Sequence, residues 1–391
     1  MKAVILAAGE GSRLRPLTNR RPKTMLPVGN QPLLESVIKS VSAAGVTEIV
    51  LVVGYHRERI QTYFGDGQQW GVEITYAVQE KQLGTGHALR QAEPYIGSDF
   101  IAMNGDRYIE REIIENLIDD HRESGSAGVA TTRVETPSRF GVIEFDGQYI
   151  TDIIEKPTPG TTKSEQINAG VYVFGPDIFA AIRQTESHGE IALTRTLCNY
   201  AESHSLRAVP YDGLWGDVSH PWDLLWLNGY IADKQKTTDN SGSTESAYVA
   251  PTAVIHDDVT IGDDVTVSSG AAILRGTSLG ESATVGINAV VENAVIFPDA
   301  TIEAGAIVRD CIVGANATIG PNTTVEGGKA DVTLGQTVHS DVTFGGLIGD
   351  NGKIGANVTV MSGTILGEGV TAESGTVLRD RTQDGSIIRR G

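Results

Sequence analysis

Ala3-Val-Ile-Leu-Ala-Ala-Gly9-Glu-Gly11-Ser12-Arg13-Leu-Arg15-Pro16, with Arg21-Pro-Lys23 just beyond, opens the chain and sets its reading. The apolar residues Ala3 to Leu6 predict a short buried strand, and two small residues follow before a turn opens at Gly9. Gly9 and Gly11 allow close backbone approach to a ligand. Successive backbone N–H groups in such a turn form a concave anion site. Arg13, Arg15 and Lys23 add positive charge to it. The spacing fits neither the P-loop nor the dinucleotide fingerprint. Three cations beside a Gly-rich turn in an acidic chain point to an anionic, phosphate-bearing ligand.

That acidity is pronounced: 49 Asp and Glu stand against 31 Lys and Arg in 391 residues, a formal charge of −18. Such a balance disfavours nucleic acid and anionic membrane as partners. Only 10 of the basic residues are Lys, and abundant carboxylates with few lysines suit a high-salt cytoplasm. With 40% hydrophobic and 20% charged residues, composition is that of a globular protein of two or three domains. No run reaches the roughly 20 apolar residues of a membrane helix, and residues 1–8 lack the form of a signal peptide. Cys198 and Cys311 are too few and too far apart for a disulfide framework or metal cluster. The expected location is cytoplasmic.

From residue 1 to about 232 strand-like and helix-like segments alternate. Glu48–Gly54 is a second apolar run ended by glycine, Val72–Val78 alternates, and Asp99–Met103 precedes Asn104-Gly105-Asp106. Helices are predicted at 32–44, 58–64 and 86–93. This alternation predicts an α/β domain with a mainly parallel sheet covered on both faces. Ligands of such sheets bind beyond the carboxyl ends of the strands, which puts the Gly9 turn, Gly54 and Asp106 on one rim. Residues 233–247 are polar and Ser/Thr-rich, and read as a linker.

Beyond the linker the sequence repeats. Val249, Ile255, Ile261, Val267, Ile273, Leu279, Val285 and Val291 fall at every sixth position. The period slips by one, resumes through Ile296, Ile302 and Val308, slips again, and resumes through Val313, Ile319 and Val325. A last series holds Ile348, Ile354, Val360 and Leu366. A six-residue period is the mark of a parallel β-helix, expected over 248–391, whose default role is structural or oligomerising.

The amino-terminal motifs form an ordered set: Leu6–Thr18, Arg21-Pro-Lys-Thr-Met-Leu-Pro-Val28, Gln79 followed by Leu83-Gly84-Thr85-Gly86, Asn104-Gly-Asp106, Phe140-Gly141-Val, Glu155-Lys156-Pro157, Asn168-Ala-Gly170 and Trp215-Gly-Asp217. In this order they resemble the sugar-1-phosphate nucleotidylyltransferase family. The repeat resembles the left-handed β-helix of bifunctional members of the N-acetylglucosamine-1-phosphate uridylyltransferase type. Together these imply a Rossmann-like nucleotidyltransferase domain followed by a left-handed β-helix, and a homotrimer assembled through that β-helix.

The resemblance also implies chemistry: a sugar phosphate attacks the α-phosphate of a pyrimidine nucleoside triphosphate, UTP or dTTP, and pyrophosphate leaves. Positioning and charge stabilisation dominate such a reaction. Leu6, Ala8, Gly9, Gly11 and Ser12 are then nucleotide-binding, as are Gln79, Gly84 and Thr85, with Gln79 and Gly84 reading the base edge. Arg13 would bind the departing pyrophosphate, and Lys23 would neutralise the reacting phosphates. Gly141, Glu155, Lys156 and Asn168 would hold the sugar phosphate. Asp106 and Asp217 are the implied Mg²⁺ ligands, although the family's glycine two residues after the second Asp is Ser219 here.

Bifunctional relatives also carry an acetyltransferase centre whose general base is a His. The corresponding stretch here, Ile307–Gly314, holds neither His nor Tyr, and His256 and His339 lie in no such motif. The tail is therefore expected to lack acetyl transfer. The sugar, N-acetylglucosamine or glucose, stays open, and a non-catalytic scaffold subunit is the contrasting reading.

Overall fold

In the computed structural model, which describes residues 1–186, 189–236 and 246–390, nine strands form one sheet. They are β1 (Lys2–Ala7), β2 (Glu48–Val53), β3 (Glu73–Val78), β4 (Phe100–Asn104), β5 (Ala127–Arg133), β6 (Gly141–Asp146), β7 (Tyr149–Glu155), β8 (Gln166–Phe174) and β9 (Leu206–Pro210). Their order is β3-β2-β1-β4-β8-β5-β9-β7-β6. The first four are mutually parallel, as expected from the strand–helix alternation. From β8 onward the sheet is mixed: β8 runs antiparallel to both β4 and β5, and β6 and β7 form a hairpin.

Both faces of the sheet are covered. Ala3, Ile5 and Ala7 of β1 share one core with helices α1 (Leu33–Ala43), α2 (Arg57–Phe64) and, beyond α3 (Thr85–Arg90), α4 (Arg111–Ser124). Val4 and Leu6 share the other core with Ala88 and Leu89 of α3 and with α5 (Ile178–Gln184) and α6 (Leu193–Ala201). A strand buried on both faces must be apolar at consecutive positions, and β1 is.

The carboxyl-terminal repeat folds as short parallel strands in three sheets of eight, seven and six strands, consistent with a left-handed β-helix. Every aliphatic position of the six-residue series from Ile261 to Leu366 is buried in a single core, with Val249 and Ile255 packed against it. Fully burying one such side chain contributes about 1.5–3 kcal/mol, so the stack itself is a large part of this unit's stability. Corner residues Asp264, Ser282, Asn288, Asp299, Asn316 and Asn322 have positive φ. Asn and Asp tolerate that conformation best among non-glycine residues.

Where the period slips, the corner residues are Asn293 and Asp310, with φ of 46° and 48°. Their side chains bond at 2.6 Å, so the two shortened turns stack on each other. The gap before Ile348 is an antiparallel hairpin of Lys329–Leu334 and Thr337–Thr343, which leaves the β-helix between two coils.

Two compact units result. One comprises Met1–Glu10, Pro22–Met25 and Leu33–Asp217; the other comprises Gly11–Arg21, Leu26–Pro32 and Val218–Gly391. Helix α7 runs Pro221–Lys236, into the expected linker, whose residues 237–245 lie outside the described set. The helix belongs with the β-helix because Asn228 is buried there: its amide donates to the Gly276 carbonyl and accepts from the Gly29 N–H, both at 3.0 Å. Asn30 donates to the Leu279 carbonyl at 2.8 Å. The outward residues of the six-stranded face are accordingly buried, among them Val295, Ile312, Leu347 and Ile365.

Candidate active site

Strand order reverses between β1 and β4: β2 follows β1 on one side and β4 lies on the other. The carboxyl ends at such a switch point form a crevice. Leu6 is in register with Asn104, and the Gly105 N–H donates to the Leu6 carbonyl at 2.8 Å, which fixes the turn that carries Asp106.

Lys23 is drawn to this turn. Its Nζ lies 2.7 Å from Asp106 Oδ2 and 3.6 Å from Asp217 Oδ1, and the side chain is only 11% exposed. Asp217 arrives on a two-stranded ribbon, Trp215–Asp217 against Arg107–Ile109, in which it pairs with Arg107. The Arg107 guanidinium forms an ion pair with Asp217 and lies 5.1 Å from the Trp215 ring and 5.9 Å from the Phe140 ring. Burial opposes ionisation of Asp106, but the Lys23 and Arg107 cations outweigh it and hold the carboxyl well below its usual range. The structure therefore gathers three sequence-predicted residues, Lys23, Asp106 and Asp217, around one ammonium. Arg107 was not singled out from sequence. Its place next to Asp106 was the one available signal.

A second cluster surrounds Gln79 at the end of β3. The side chain is 5% exposed, and its amide nitrogen lies 3.2 Å from the Gly84 carbonyl and 2.9 Å from His87 Nδ1. Burial, with Arg90 nearby, lowers the His87 pKa, which favours a neutral ring that accepts this bond. Gly84 has φ +91°, and a Cβ there would meet the Ile191 carbonyl oxygen at 2.6 Å, so only glycine fits. Leu83 and Gly86 bond to Ile191, and Thr85 Oγ1 accepts the Leu193 N–H at 3.1 Å. Thr85 thus ties this loop to the start of α6. Gln82 donates to the Ala8 carbonyl at 3.0 Å, which links the loop to the β1 turn.

The predicted sugar-side residues lie on β6, β7 and β8. Gly141 and Glu155 are register partners, and the Lys156 N–H donates to the Phe140 carbonyl at 2.9 Å. Asn168 is used internally: it donates to Tyr172 Oη and accepts from the Gly170 N–H, both at 2.9 Å. That leaves one N–H and one lone pair for a ligand.

Gly11, Ser12 and Arg13 fall in the second compact unit. Gly11 has φ +67°, and its carbonyl accepts both the Leu14 N–H and Thr18 Oγ1 at 2.9 Å. This closes a short turn that leaves Ser12 and Arg13 exposed.

Residues 2–234 match the nucleotidyl transferase family profile. The chain belongs to the nucleotidyl transferase family. Residues 238–344 match a second profile, the GMPPB C-terminal domain. Among nucleotidyl transferase relatives, the bifunctional protein GlmU of Methanococcus maripaludis strain C5 is 40% identical over 238 residues, covering 60% of this chain and 55% of that protein. The chain thus matches about half the length of these GlmU proteins. Agl11 of Haloferax volcanii, a low-salt glycan biosynthesis nucleotidyltransferase, is 37% identical over 257 residues, 64% of this chain and 71% of its own. A Bacillus anthracis crystal structure described as a glucose-1-phosphate thymidylyltransferase superposes with TM-score 0.55 at 29% identity, covering 59% of this chain and 94% of that one.

Proposed function

We propose that this chain transfers a nucleotidyl group from UTP or dTTP to a sugar 1-phosphate, N-acetylglucosamine 1-phosphate or glucose 1-phosphate, with release of pyrophosphate. The observation that carries the reading is the Lys23 ammonium shared by Asp106 and Asp217 at a strand switch point. Lys23 would neutralise the reacting phosphates, and Arg13 and Ser12 would hold the triphosphate with the N–H groups of the Gly-rich turn. Relatives named GlmU, Agl11 and glucose-1-phosphate thymidylyltransferase support this class.

Asp106 and Asp217 fit a divalent cation. Both are oxygen donors that reach one cationic atom, and among the described residues no group of three or more His, Cys, Asp or Glu forms a self-sufficient metal cage. Mg²⁺ is held in this way, by one or two carboxylates with phosphate oxygens and water completing the shell. When bound it would offset charge on the phosphates; Lys23 and Arg107 keep Asp106 ionised, and both form ion pairs with Asp217 that orient it.

Gln79 fits a pyrimidine. Its amide protons are turned to Gly84 and His87, so its carbonyl oxygen is the group left to accept an N–H from a base edge. Uracil and thymine present such a donor at N3, and the methyl that separates them is discriminated only modestly. For assembly, the outward residues Val254, Ala272, Val290 and Ile307 stack as an apolar column on one β-helix face, which continues through Thr324 and Thr359 to Val377, and this column supports a trimer through that face.

The deciding experiment is pyrophosphate release over a full grid of nucleoside triphosphates and sugar 1-phosphates with Mg²⁺. The expected result is turnover restricted to UTP or dTTP. Silence across the grid would remove the enzymatic reading and leave the scaffold.

A further inference from the structure

The stretch that follows the Gly11 turn is fastened to the β-helix through Arg15, Asn19, Arg20 and Arg21. Arg21 forms a buried ion pair with Asp350, their side chains 12% and 5% exposed, and its guanidinium lies 4.9 Å from the ring of the buried Phe297. Arg20 pairs with Glu368. Asn19 Nδ2 donates to Asp384 Oδ2 at 3.0 Å, and Arg381 donates to the Arg15 carbonyl at 3.2 Å. Asp350, Glu368 and Asp384 occupy one corner of three successive coils, after Gly349, Gly367 and Gln383. Two of the three acids are also held from behind. Asp350 Oδ1 accepts the Ala315 N–H at 2.9 Å, and Asp384 Oδ1 accepts the Glu368 N–H at 2.8 Å.

A turn that must present Ser12 and Arg13 to a highly charged ligand needs a rigid base, because those side chains are exposed and have no packing of their own. Ordinary surface ion pairs would not supply it. A buried Arg–Asp pair, a second pair and two hydrogen bonds, all within seven residues, would. The corner therefore does more than terminate coils. We propose that Asp350, Glu368 and Asp384 are positioning residues for the nucleotide-binding turn, so that the β-helix takes part in triphosphate binding by fixing the conformation of residues 11–21. The inference rests on the proposed role of that turn.

Charge reversal tests it in the full-length chain. Arg20→Glu, at an exposed position, and Glu368→Arg, at a partly covered one, each place like charges together, and the double variant restores an opposite pair. The expected result is faster amide hydrogen exchange in peptides spanning 11–21 for each single variant. The nucleotide KM should rise, or kcat fall, on the order of tenfold. The melting temperature and the sugar-phosphate KM should stay at native values. The double variant should recover both exchange and kinetics. Asp350→Asn, which keeps an acceptor for the Ala315 N–H but loses the charge facing Arg21, should act in the same direction. Native exchange in both single variants, altered exchange with native kinetics, or no recovery in the double variant would overturn the proposal. Exchange judges the clamp whatever the substrate is, whereas turnover by the native chain judges the nucleotidyl-transfer reading, so the two can fail separately.

Discussion

Arg107 and Asp217 face each other as register partners in a two-stranded ribbon, and their side chains form an ion pair against the rings of Trp215 and Phe140. The pair aims Asp217 while the Lys23 ammonium, 2.7 Å from Asp106, lies 3.6 Å from the same carboxylate. Removing the guanidinium as Arg107→Met leaves the Asp217 carboxylate without that partner and less constrained. Supporting partners of metal ligands are typically worth about 10–100-fold in metal affinity or activity. Magnesium titrations of pyrophosphate release should show a higher half-saturation, partly recovered in Arg107→Lys. An unchanged titration would rule out the orienting role.

Lys23→Met should lower stability in a pH-dependent way. Asp106 has a native pKa depressed by Lys23 and Arg107 despite burial. A depressed carboxyl stabilises the fold above its unfolded pKa of about 3.9, and that contribution is lost as pH falls through the native value. The stability gap between native and Lys23→Met chains should thus be full at neutral pH and shrink below about pH 4. Urea unfolding followed by circular dichroism at both ends of that range measures it; a gap that ignores pH would exclude the linkage.

His87 should govern the acid side of nucleotide binding. Burial lowers its pKa, so the ring is neutral at pH 7 and accepts from Gln79. Protonation below the ordinary value of about 6.5 turns Nδ1 into a donor and breaks this bond. The same sign makes the folded state less stable on the acid side, because the unfolded ring takes up its proton first. The nucleotide KM should rise severalfold on acidification, and His87→Phe should show a raised KM that no longer follows pH. A native-like pH profile in that variant would count against the assignment.

The β-helix should not transfer acetyl groups. Within Ile307–Gly314, the Cys311 thiol is fully buried and its pKa is pushed far up, chiefly by burial. His256 is paired with Asp258, and His339 packs on His220 and Trp222. Incubation with acetyl-CoA and glucosamine 1-phosphate should release no thiol above background. Sustained thiol release would show a general base placed elsewhere.

Self-association should depend on the apolar β-helix face. Val254 and Val377 on it are 60% and 55% exposed. Ile307→Asp, at the middle of that seven-stranded face, should convert an oligomer of about three copies into monomers by light scattering without unfolding the coil. An unchanged mass would move the interface to another face.

Much of this was legible in the sequence because it is periodic or local. The six-residue recurrence from Ile261 to Leu366 names the β-helix core residue by residue, since a coil of fixed length returns every sixth side chain to the axis. The consecutive apolar residues of β1 announced a strand buried on both faces. Two features escaped because no local pattern encodes them. The excursion at Lys329–Thr343 interrupts the period without a period of its own. Asn228 gives no helical or strand signal, yet its burial among Gly29 and Gly276 joins α7 to the β-helix.

The sequence by itself determined the two folds, the strand ends that carry the motifs, and the residue types available for chemistry. Tertiary structure alone decided which charges meet. Lys23, Asp106 and Asp217 are far apart along the chain and converge because β1 and β4 are neighbours and a ribbon returns Asp217 to the Asp106 turn. Arg21 lies two residues before Lys23, yet its partner is Asp350 in the β-helix. An ion pair is set by distance and burial, and neither is written in the order of residues.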